Sequence, residues 1–299
     1  MSTRACRAVV FVAGVALSSA PLIGQGRAPA PRPGDCPRDP VAFHPCALAK
    51  ARTFTPPRTP DGQPDMQGTW RGQGGGVENI EAHEGNGDVN AGPTFVVDPP
   101  DGNIPYQPWG FVQRKENVEK YIDPNVSCLS SGVPRMLYTP GDIGLVQSPG
   151  TFVITHSRSH TFRVIPTTGT QPHVDASVAL ALGSSRGRWD GNTLVVDVTN
   201  QNGKTWLDQA GNFESAAAHV VERFTMIDAN TIHYEARIED PSLYTRPWSM
   251  AFAIRRVTDP GYEVFEEACH EGERDTEHLL ELGLKPYPGI TQRPNATGR

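Results

Sequence analysis

The chain has 299 residues, with 27 Lys and Arg against 33 Asp and Glu, and a formal net charge of −6. An acidic chain without a Lys/Arg cluster is a poor partner for nucleic acid or for an anionic membrane surface, so neither is expected to bind it. Beyond the first 24 residues, no segment is apolar over the length of a membrane-spanning helix, so no integral membrane segment is predicted.

Residues 1–24 have the three-part form of a secretory signal peptide. Arg4 and Arg7 precede an apolar run, Ala8 to Leu17, and small residues follow as far as Gly24. The apolar run is too short to cross a bilayer. The sequence therefore predicts export to the periplasm or out of the cell, with the cleavage position left open.

Four cysteines follow such a leader, an even set that favours two disulfides in an oxidising compartment. Cys36 and Cys46 enclose a short proline-rich loop and are expected to pair, which leaves Cys128 to pair with Cys269. Three pairings are formally open to four cysteines, and free buried thiols are the alternative.

Three kinds of segment follow the leader before the main run of strands. Residues 25–64 contain ten prolines and little apolar periodicity, which predicts an extended arm. Asp65 to Trp70 is the first strand-like segment, and residues 72–92 are interpreted as a long glycine-rich loop. Trp109 to Tyr121 has helical spacing. Its predicted packed face consists of Phe111, Val112, Val118 and Tyr121.

From Asp142 onward the pattern changes to strands separated by tight turns. Predicted strands flank Asp190-Gly191-Asn192, Asp228-Ala229-Asn230 and Asp259-Pro260-Gly261, and the last one runs from Tyr262 to Cys269. Consecutive hairpins imply an antiparallel meander, and closure into a barrel removes the exposed edges. We therefore predict an all-β fold: a single lipocalin- or calycin-like barrel over residues 65–272, followed by a C-terminal tail over residues 273–299.

Alternation along Thr231 to Glu239 separates an apolar face from a polar one. The polar face, interpreted as the wet outside of the barrel, consists of His233, Glu235, Arg237 and Glu239. The next predicted strand also has an apolar side, containing Trp248 and Phe252, which suits either a packed core or the wall of a ligand pocket.

Three histidines, His156, His160 and His173, are candidate metal ligands, because the first two flank a tight turn. No HExxH-type helix and no obvious carboxylate companion accompany them. Ordinary hairpin residues are therefore the preferred interpretation, and neither a metal nor another cofactor is expected.

Two further groups of residues suit acid–base chemistry. His219 and Glu222 face opposite sides of a strand, so they form a catalytic pair only if a bulge intervenes; Glu222 paired with a cross-strand arginine is the alternative. His270 and Glu271 follow Cys269 at a predicted strand end, where a disulfide would hold them rigidly, and an ordinary barrel rim is the alternative.

A fourth group combines aromatic rings with a guanidinium and a carboxylate. Flat aromatic faces beside hydrogen-bonding groups suit a sugar ring or an aromatic ligand, whereas burial of the two tryptophans in the core is the alternative. The group consists of Trp206, Asp208, Tyr244, Arg246 and Trp248. No nucleophile elbow, phosphate-binding P-loop or dinucleotide fingerprint occurs in the chain.

Seven ordered segments resemble those of a large, mostly uncharacterised family of exported bacterial proteins. They are PDMQGTW (64–70), CLSSGVPR (128–135), GRWDGNTLVVD (187–197), KTWLD (204–208), HVVERF (219–224), YTRPW (244–248) and ACHEG (268–272). The resemblance implies export and a shared fold rather than a particular reaction. More weakly, Gly68-Thr69-Trp70 is similar to the Gly-x-Trp opening of lipocalins.

These patterns lead to the hypothesis of an exported enzyme that transforms a small organic or carbohydrate-derived molecule by metal-independent acid–base chemistry, in the lyase, isomerase or hydrolase range. His219 and His270 would exchange protons, with Glu271 or Asp208 orienting a histidine, while Arg246 would hold a developing anion. One alternative is a lipocalin-like protein that binds a small ligand without turnover. A less favoured alternative is a metalloprotein with histidine ligands.

Overall fold

The computed structural model describes residues 35–86 and 90–290. The predicted signal peptide, residues 25–34 of the predicted arm and residues 291–299 lie outside the described residues. The helices are α1 (Pro40–Ala51), α2 (Pro108–Lys120) and α3 (Asp275–Glu281). The strands are β1 (Gly68–Gly72), β2 (Val96–Asp98), β3 (Tyr121–Ile122), β4 (Ile143–Ser148), β5 (Thr151–His156), β6 (Thr161–Pro166), β7 (Ser184–Asp190), β8 (Thr193–Thr199), β9 (His219–Asp228), β10 (Thr231–Glu239), β11 (Trp248–Arg256) and β12 (Lys285–Pro286).

Nine strands form a sheet that curls into a nearly closed barrel. Their order is β6-β5-β4-β1-β11-β10-β9-β8-β7, every neighbouring pair is antiparallel, and β2 adds to β11 from outside this path. An odd number of strands cannot alternate in direction all the way round a ring. The two end strands of the sheet, β6 and β7, therefore run in the same direction where they meet, and we call this junction the seam. Side chains still bridge that seam: Arg163 on β6 donates to Ser185 on β7 over 2.8 Å. The predicted antiparallel barrel is confirmed.

Aromatic side chains fill the inside of this barrel. Alternation points Phe224, Tyr234 and Phe252 of three successive strands inward, each less than 2% exposed. The ring centroids of Phe224 and Tyr234 lie 5.0 Å apart, and those of Tyr234 and Phe252 lie 4.9 Å apart. Trp70 from β1 donates its indole N–H to the Met66 carbonyl, so its one polar group is satisfied inside the core. Of the two interpretations of the apolar side of β11, the packed core is the one observed.

The proline-rich arm contains a helix, where the sequence predicted extended chain. Asp39 caps α1 by accepting from the Ala42 N–H over 2.9 Å, and Pro40 occupies the first helical position, where its missing N–H costs nothing. The Cys36–Cys46 disulfide ties the first residues to the helix. Proline content misled the prediction, because prolines at a helix start are compatible with a helix.

Helix α1 covers part of the outer face of β9, β10 and β11. Its Phe43 and Ala47 pack with Ile227 and Ala253, so outward-facing positions of the barrel become buried. His233, predicted to be solvated, is only 2% exposed under this helix. Its Nε2 lies 3.0 Å from Nδ1 of His44, and one of the two rings donates to the other. Alternation placed His233 correctly on the outer face, but the covering helix determines its burial.

Helix α2 forms as predicted, but its packed face is only partly the predicted one. Phe111, Val112 and Val118 are about half exposed, at 52%, 63% and 49%, whereas Tyr121 packs against the core. The helix also buries Gly110, next to the Tyr106 and Leu243 side chains, and Asn117, whose amide donates to the Gly211 carbonyl over 3.0 Å. Small and amide side chains therefore take part in the docking, and hydrophobic periodicity cannot identify them.

The chain after β11 does not form the predicted strand from Tyr262 to Cys269. Both edges of β11 are already occupied, by β10 on one side and by β1 and β2 on the other. The segment crosses the outside of the barrel, and Cys269 is joined to Cys128 by a disulfide. The remaining residues as far as 290 are not a loose tail, because they contain α3 and β12, which pairs in parallel with β3.

Both predicted disulfides, Cys36–Cys46 and Cys128–Cys269, are present. Two disulfides are consistent with an oxidising, exported location. Within the described ranges, no helix combines the length and the apolar character that crossing a membrane requires.

Candidate functional site

A carboxylate shared by two imidazoles lies on the outer face of the barrel. Asp197 on β8 pairs in the ladder with Val221, and His219 lies two residues before Val221 on the same face of β9. His219 Nε2 is 2.7 Å from one carboxylate oxygen of Asp197. From the loop between β6 and β7, His173 brings its Nε2 to 2.7 Å from the other oxygen. Strand register and one loop thus assemble three titratable groups.

The hydrogen bonds define which ring nitrogens carry protons. An ionised carboxylate only accepts, so Nε2 of both His173 and His219 must be protonated. Nδ1 of His173 then accepts from the Ser184 hydroxyl, 3.2 Å away. Among the described residues, Nδ1 of His219 has no hydrogen-bond partner, and this side chain is 40% exposed. Of the ring nitrogens in this cluster, Nδ1 of His219 is therefore the one open to a further hydrogen bond.

Asp197 is held as an anion within this cluster. Its partial burial raises its pKa, but the hydrogen bonds from His219 and His173 outweigh that effect, and the net pKa lies below the ordinary value. An anionic Asp197 fixes the orientation of both rings and stabilises a positive charge on either of them.

A polar cleft of about 260 Å³ opens beside the cluster. His173 and Asp197 line it together with Arg186 and Arg188. The Arg186 Nε donates to the Pro172 carbonyl over 2.6 Å, which anchors the loop that carries His173. Two guanidinium groups beside an acid–base cluster suit a small anionic molecule.

Asp208, a predicted catalytic residue, is fully buried and braces two loops. Its carboxylate accepts from the Ile80 N–H over 2.9 Å and from the Asn212 side-chain amide over 2.7 Å. Burial raises the pKa of Asp208 to about 6, although both hydrogen bonds act in the opposite direction. The structure does not bring Asp208 to the histidine cluster.

The predicted ligand-binding aromatics are core residues. Trp206, Tyr244 and Trp248 are at most 3% exposed, and the Tyr244 hydroxyl donates to the Phe213 carbonyl over 2.8 Å. Arg246 lies at the surface, where it forms an ion pair with Asp98. The five residues therefore do not share one ligand surface, although Tyr244 and Arg246 both line a cleft of about 220 Å³.

His270 and Glu271 lie in an exposed turn, next to the Cys128–Cys269 disulfide. The Glu271 N–H closes this turn by donating to the Ala268 carbonyl over 2.9 Å. In the part of the chain that the structure describes, no hydrogen bond or ion pair links either residue to His219. The sequence predicted a proton exchange between His219 and His270, but the structure provides His219 with a different partner, His173, through Asp197.

The three candidate metal ligands do not converge. His156 is buried, donates from Nε2 to the Thr139 carbonyl and accepts at Nδ1 from the Arg158 N–H, and burial lowers its pKa. His160 occupies a turn, while His173 belongs to the Asp197 cluster. No group of three His, Cys, Asp or Glu residues that could hold a metal ion occurs within residues 35–86 and 90–290.

Glu222 points into the barrel, away from His219, as strand alternation requires. Its carboxylate accepts two hydrogen bonds from Arg163, at 3.1 and 2.5 Å, and a third from the Tyr234 hydroxyl at 2.9 Å. Arg163 and Glu222 are almost completely buried. The sequence left an arginine partner on a neighbouring strand as the alternative to a catalytic pair with His219; the partner is an arginine, but it reaches Glu222 across the interior from β6, which is not adjacent to β9 in the sheet.

Sequence patterns offered a signal for Asp197 but none for Arg163. Asp197 ends the segment GRWDGNTLVVD, and pairing that strand with HVVERF puts it on the same face as His219. That signal requires the strand register, which a single sequence defines poorly. Along TFRVIP, alternation puts Arg163 on the face opposite the apolar Phe162 and Val164, yet the structure points the arginine inward and leaves those two side chains exposed.

Comparison with known proteins adds little to this geometry. No family model matches the chain, and no curated protein matches it. Among solved structures, the chain is similar to one described as the REP1-NXSQ fatty acid transporter, with 12% sequence identity, a TM-score of 0.24, and coverage of 40% of this chain and 71% of that chain. The strand order of the chain itself defines its class: a nearly closed antiparallel β-barrel.

Proposed function

We propose that this protein is an exported enzyme that transforms a small anionic molecule by acid–base chemistry at the His173–Asp197–His219 cluster. The observation that carries the proposal is Nδ1 of His219, which has no hydrogen-bond partner among the described residues, on a half-exposed ring whose Nε2 lies 2.7 Å from the anionic Asp197 carboxylate. His219 would take a proton from the substrate at Nδ1 and return it to a leaving or rearranged group. Asp197 would stabilise the imidazolium, and Arg186 and Arg188 would hold the substrate anion.

The first test is the protonation of the two rings. An anionic Asp197 accepts from Nε2–H of both rings, so the neutral form of His173 and of His219 is expected to be the Nε2–H tautomer, which ¹⁵N chemical shifts of the imidazole nitrogens report directly. Replacement of Asp197 by Ala would release His219 into a mixture of tautomers. A His219 ring that carries its proton on Nδ1 in the wild-type protein contradicts the proposal.

The second test is turnover. The protein is incubated in D₂O with a panel of hydroxy acids, uronates and carboxylate esters, and ¹H NMR reports deuterium incorporation or conversion. We expect activity on a member of the panel to fall about 10²- to 10⁴-fold in His219→Ala, because the general base is lost. Asp197→Asn should lower it about 10-fold or more by changing the tautomers.

His270→Ala is the matched control, because His270 is an exposed imidazole outside the cluster. It should retain a turnover rate within about twofold of the wild type. A loss of turnover equal to that of His219→Ala would instead support the proton exchange between His219 and His270 that the sequence predicted. Binding of panel members without any conversion by the wild-type protein would favour the non-catalytic alternative.

A cleft at the β6–β7 seam favours that alternative, a small-ligand-binding barrel. It measures about 340 Å³ and has apolar walls that include Phe162 and Leu182, with Arg163 and Ser185 among its lining residues. If this cleft binds apolar anions, anilinonaphthalene sulfonate should fluoresce on addition to the protein. Leu182→Arg should remove that signal, while Val146→Arg, an exposed site outside the cleft, should keep it.

A further inference from the structure

Two arginines lie directly opposite each other on the outer face of the barrel. Arg71 on β1 and Arg255 on β11 are ladder partners, and both point away from the core because their neighbours Trp70 and Ile254 point inward. Like charges at directly opposed positions of an antiparallel pair are destabilising. In a chain with net negative charge, this arrangement requires an explanation.

The protein itself neutralises this pair only in part. Arg71 donates from Nε to Asp142 over 2.8 Å and from Nη2 to the Tyr262 hydroxyl over 2.6 Å. For Arg255, the hydrogen bond recorded within the described ranges is a long one of 3.4 Å to the Thr231 hydroxyl. The Arg255 guanidinium thus has no carboxylate partner among the described residues.

The two side chains line a cleft of about 460 Å³ with a third arginine, Arg38. The Gln73 amide donates to the Arg38 carbonyl over 3.0 Å, which holds the segment before α1 against the loop after β1. Ala253, which α1 buries, lies at the floor of the same cleft. The opposed Arg71 and Arg255 in a cleft of this volume define an anion site with room for more than an inorganic ion.

The backbone of the loop after β1 adds to this site. Gly72, the last residue of β1, and Gly74 in the loop line the cleft. A Cβ atom at Gly74 would meet nothing within 4 Å, and within the described residues its N–H donates to no other group. Glycine-rich backbone that follows a strand and leaves N–H groups open is a recurrent way to bind oxyanions.

We propose that this cleft is a binding site for a small molecule that carries a phosphate or sulfate ester. Arg71 and Arg255 bind the oxyanion together, which removes their mutual repulsion. The Gly74 N–H adds a backbone donor, and the rest of the cleft, which Arg38 also lines, has room for the organic part of the ligand. The site is separate from the His219 cluster, because it lies on β1 and β11 rather than on β8 and β9.

Isothermal titration with phenyl phosphate, phenyl sulfate, inorganic phosphate and benzoate tests the proposal and distinguishes the ligand classes. We expect saturable binding of at least one of the two esters at concentrations below about 10 mM, tighter than that of benzoate, and weaker in about 0.5 M NaCl because exposed charges are screened. Tighter binding of the phosphate or of the sulfate ester identifies the group that the site prefers.

Arg255→Gln is the decisive variant, since the Arg255 side chain points away from the core. It should weaken binding of the ester about 10-fold while its melting temperature without ligand stays equal to or above that of the wild type, because a like-charge contact is lost. Arg237→Gln, at an exposed arginine on β10 that pairs with Glu239, is the control and should bind within about twofold of the wild type. Unchanged binding by Arg255→Gln, or no saturable binding of either ester by the wild-type protein, would overturn the proposal.

Discussion

Replacement of Arg163 by Met is expected to lower the free energy of unfolding by about 3 to 5 kcal/mol, because it leaves the Glu222 carboxylate buried inside the barrel without its cationic partner. Both side chains are nearly inaccessible, and the pair is bidentate. The Tyr234 hydroxyl would keep its hydrogen bond to Glu222, but a neutral donor cannot replace a guanidinium. Urea denaturation at pH 7, with wild type and variant compared at equal m-values, measures the effect.

Two companion variants define the origin of this loss. The double variant Arg163→Met, Glu222→Leu removes both charges and should recover a large part of the stability, since an apolar pair can replace a buried ion pair. Arg237→Met breaks the exposed pair with Glu239 and should change stability by less than about 1 kcal/mol. A loss below about 1 kcal/mol in Arg163→Met would show that the interior pair is solvated.

Acidification is expected to destabilise the wild-type protein through His233. Burial, followed by the nearby His44 imidazole, lowers the pKa of His233 to about 3, from an ordinary value of 6.5. The unfolded chain therefore takes up a proton at higher pH than the folded one, and stability falls as the pH drops from about 6.5 toward 3. At pH 4 this group alone should have lowered the free energy of unfolding by about 3 kcal/mol relative to pH 7.

The variant His233→Gln isolates this contribution, because glutamine keeps a polar contact with His44 but does not titrate. Its urea-unfolding free energy should be lower than that of the wild type at pH 7, through imperfect packing beside Phe43, and higher at pH 4. His270→Gln, at an exposed position, should follow the wild-type dependence on pH. If His233→Gln loses as much stability as the wild type between pH 7 and pH 4, the imidazole under α1 is not the acid-sensitive group.

The barrel could be predicted because the sequence features that define its hairpins lie close together in the chain. Turn residues such as Asp190-Gly191-Asn192 and the alternation along Thr231 to Glu239 define the hairpins, and consecutive hairpins define the order of most strands. The exception is β1, which inserts between β4 and β11 across more than 70 and 170 residues of sequence, respectively. Because β1 occupies this edge of β11, the predicted last strand cannot pair there. Nothing in the local sequence pattern of Tyr262 to Cys269 indicates this.

The candidate site was predicted only in part, for a related reason. His219 was identified because an imidazole stands at the start of a strand, but its partners Asp197 and His173 depend on strand register and on a loop path. Asp208 and Trp206 looked functional because they are polar or aromatic near turns, whereas both are buried by loops from distant parts of the chain. Residue type indicates which chemistry a side chain can perform, but only its neighbours decide whether it meets a substrate.

Residue order alone determined the antiparallel hairpins and predicted the helix over Trp109 to Tyr121, because turn chemistry and periodicity act over short distances. It favoured the observed pairing of the four cysteines without excluding the other pairings. Tertiary structure decided everything that depends on which surfaces meet. It buried His233 under α1, enclosed the Arg163–Glu222 pair, grouped Asp197 with two histidines and set Arg71 opposite Arg255. Burial and electrostatics depend on distances between residues remote in sequence, and these distances exist only once the barrel has closed.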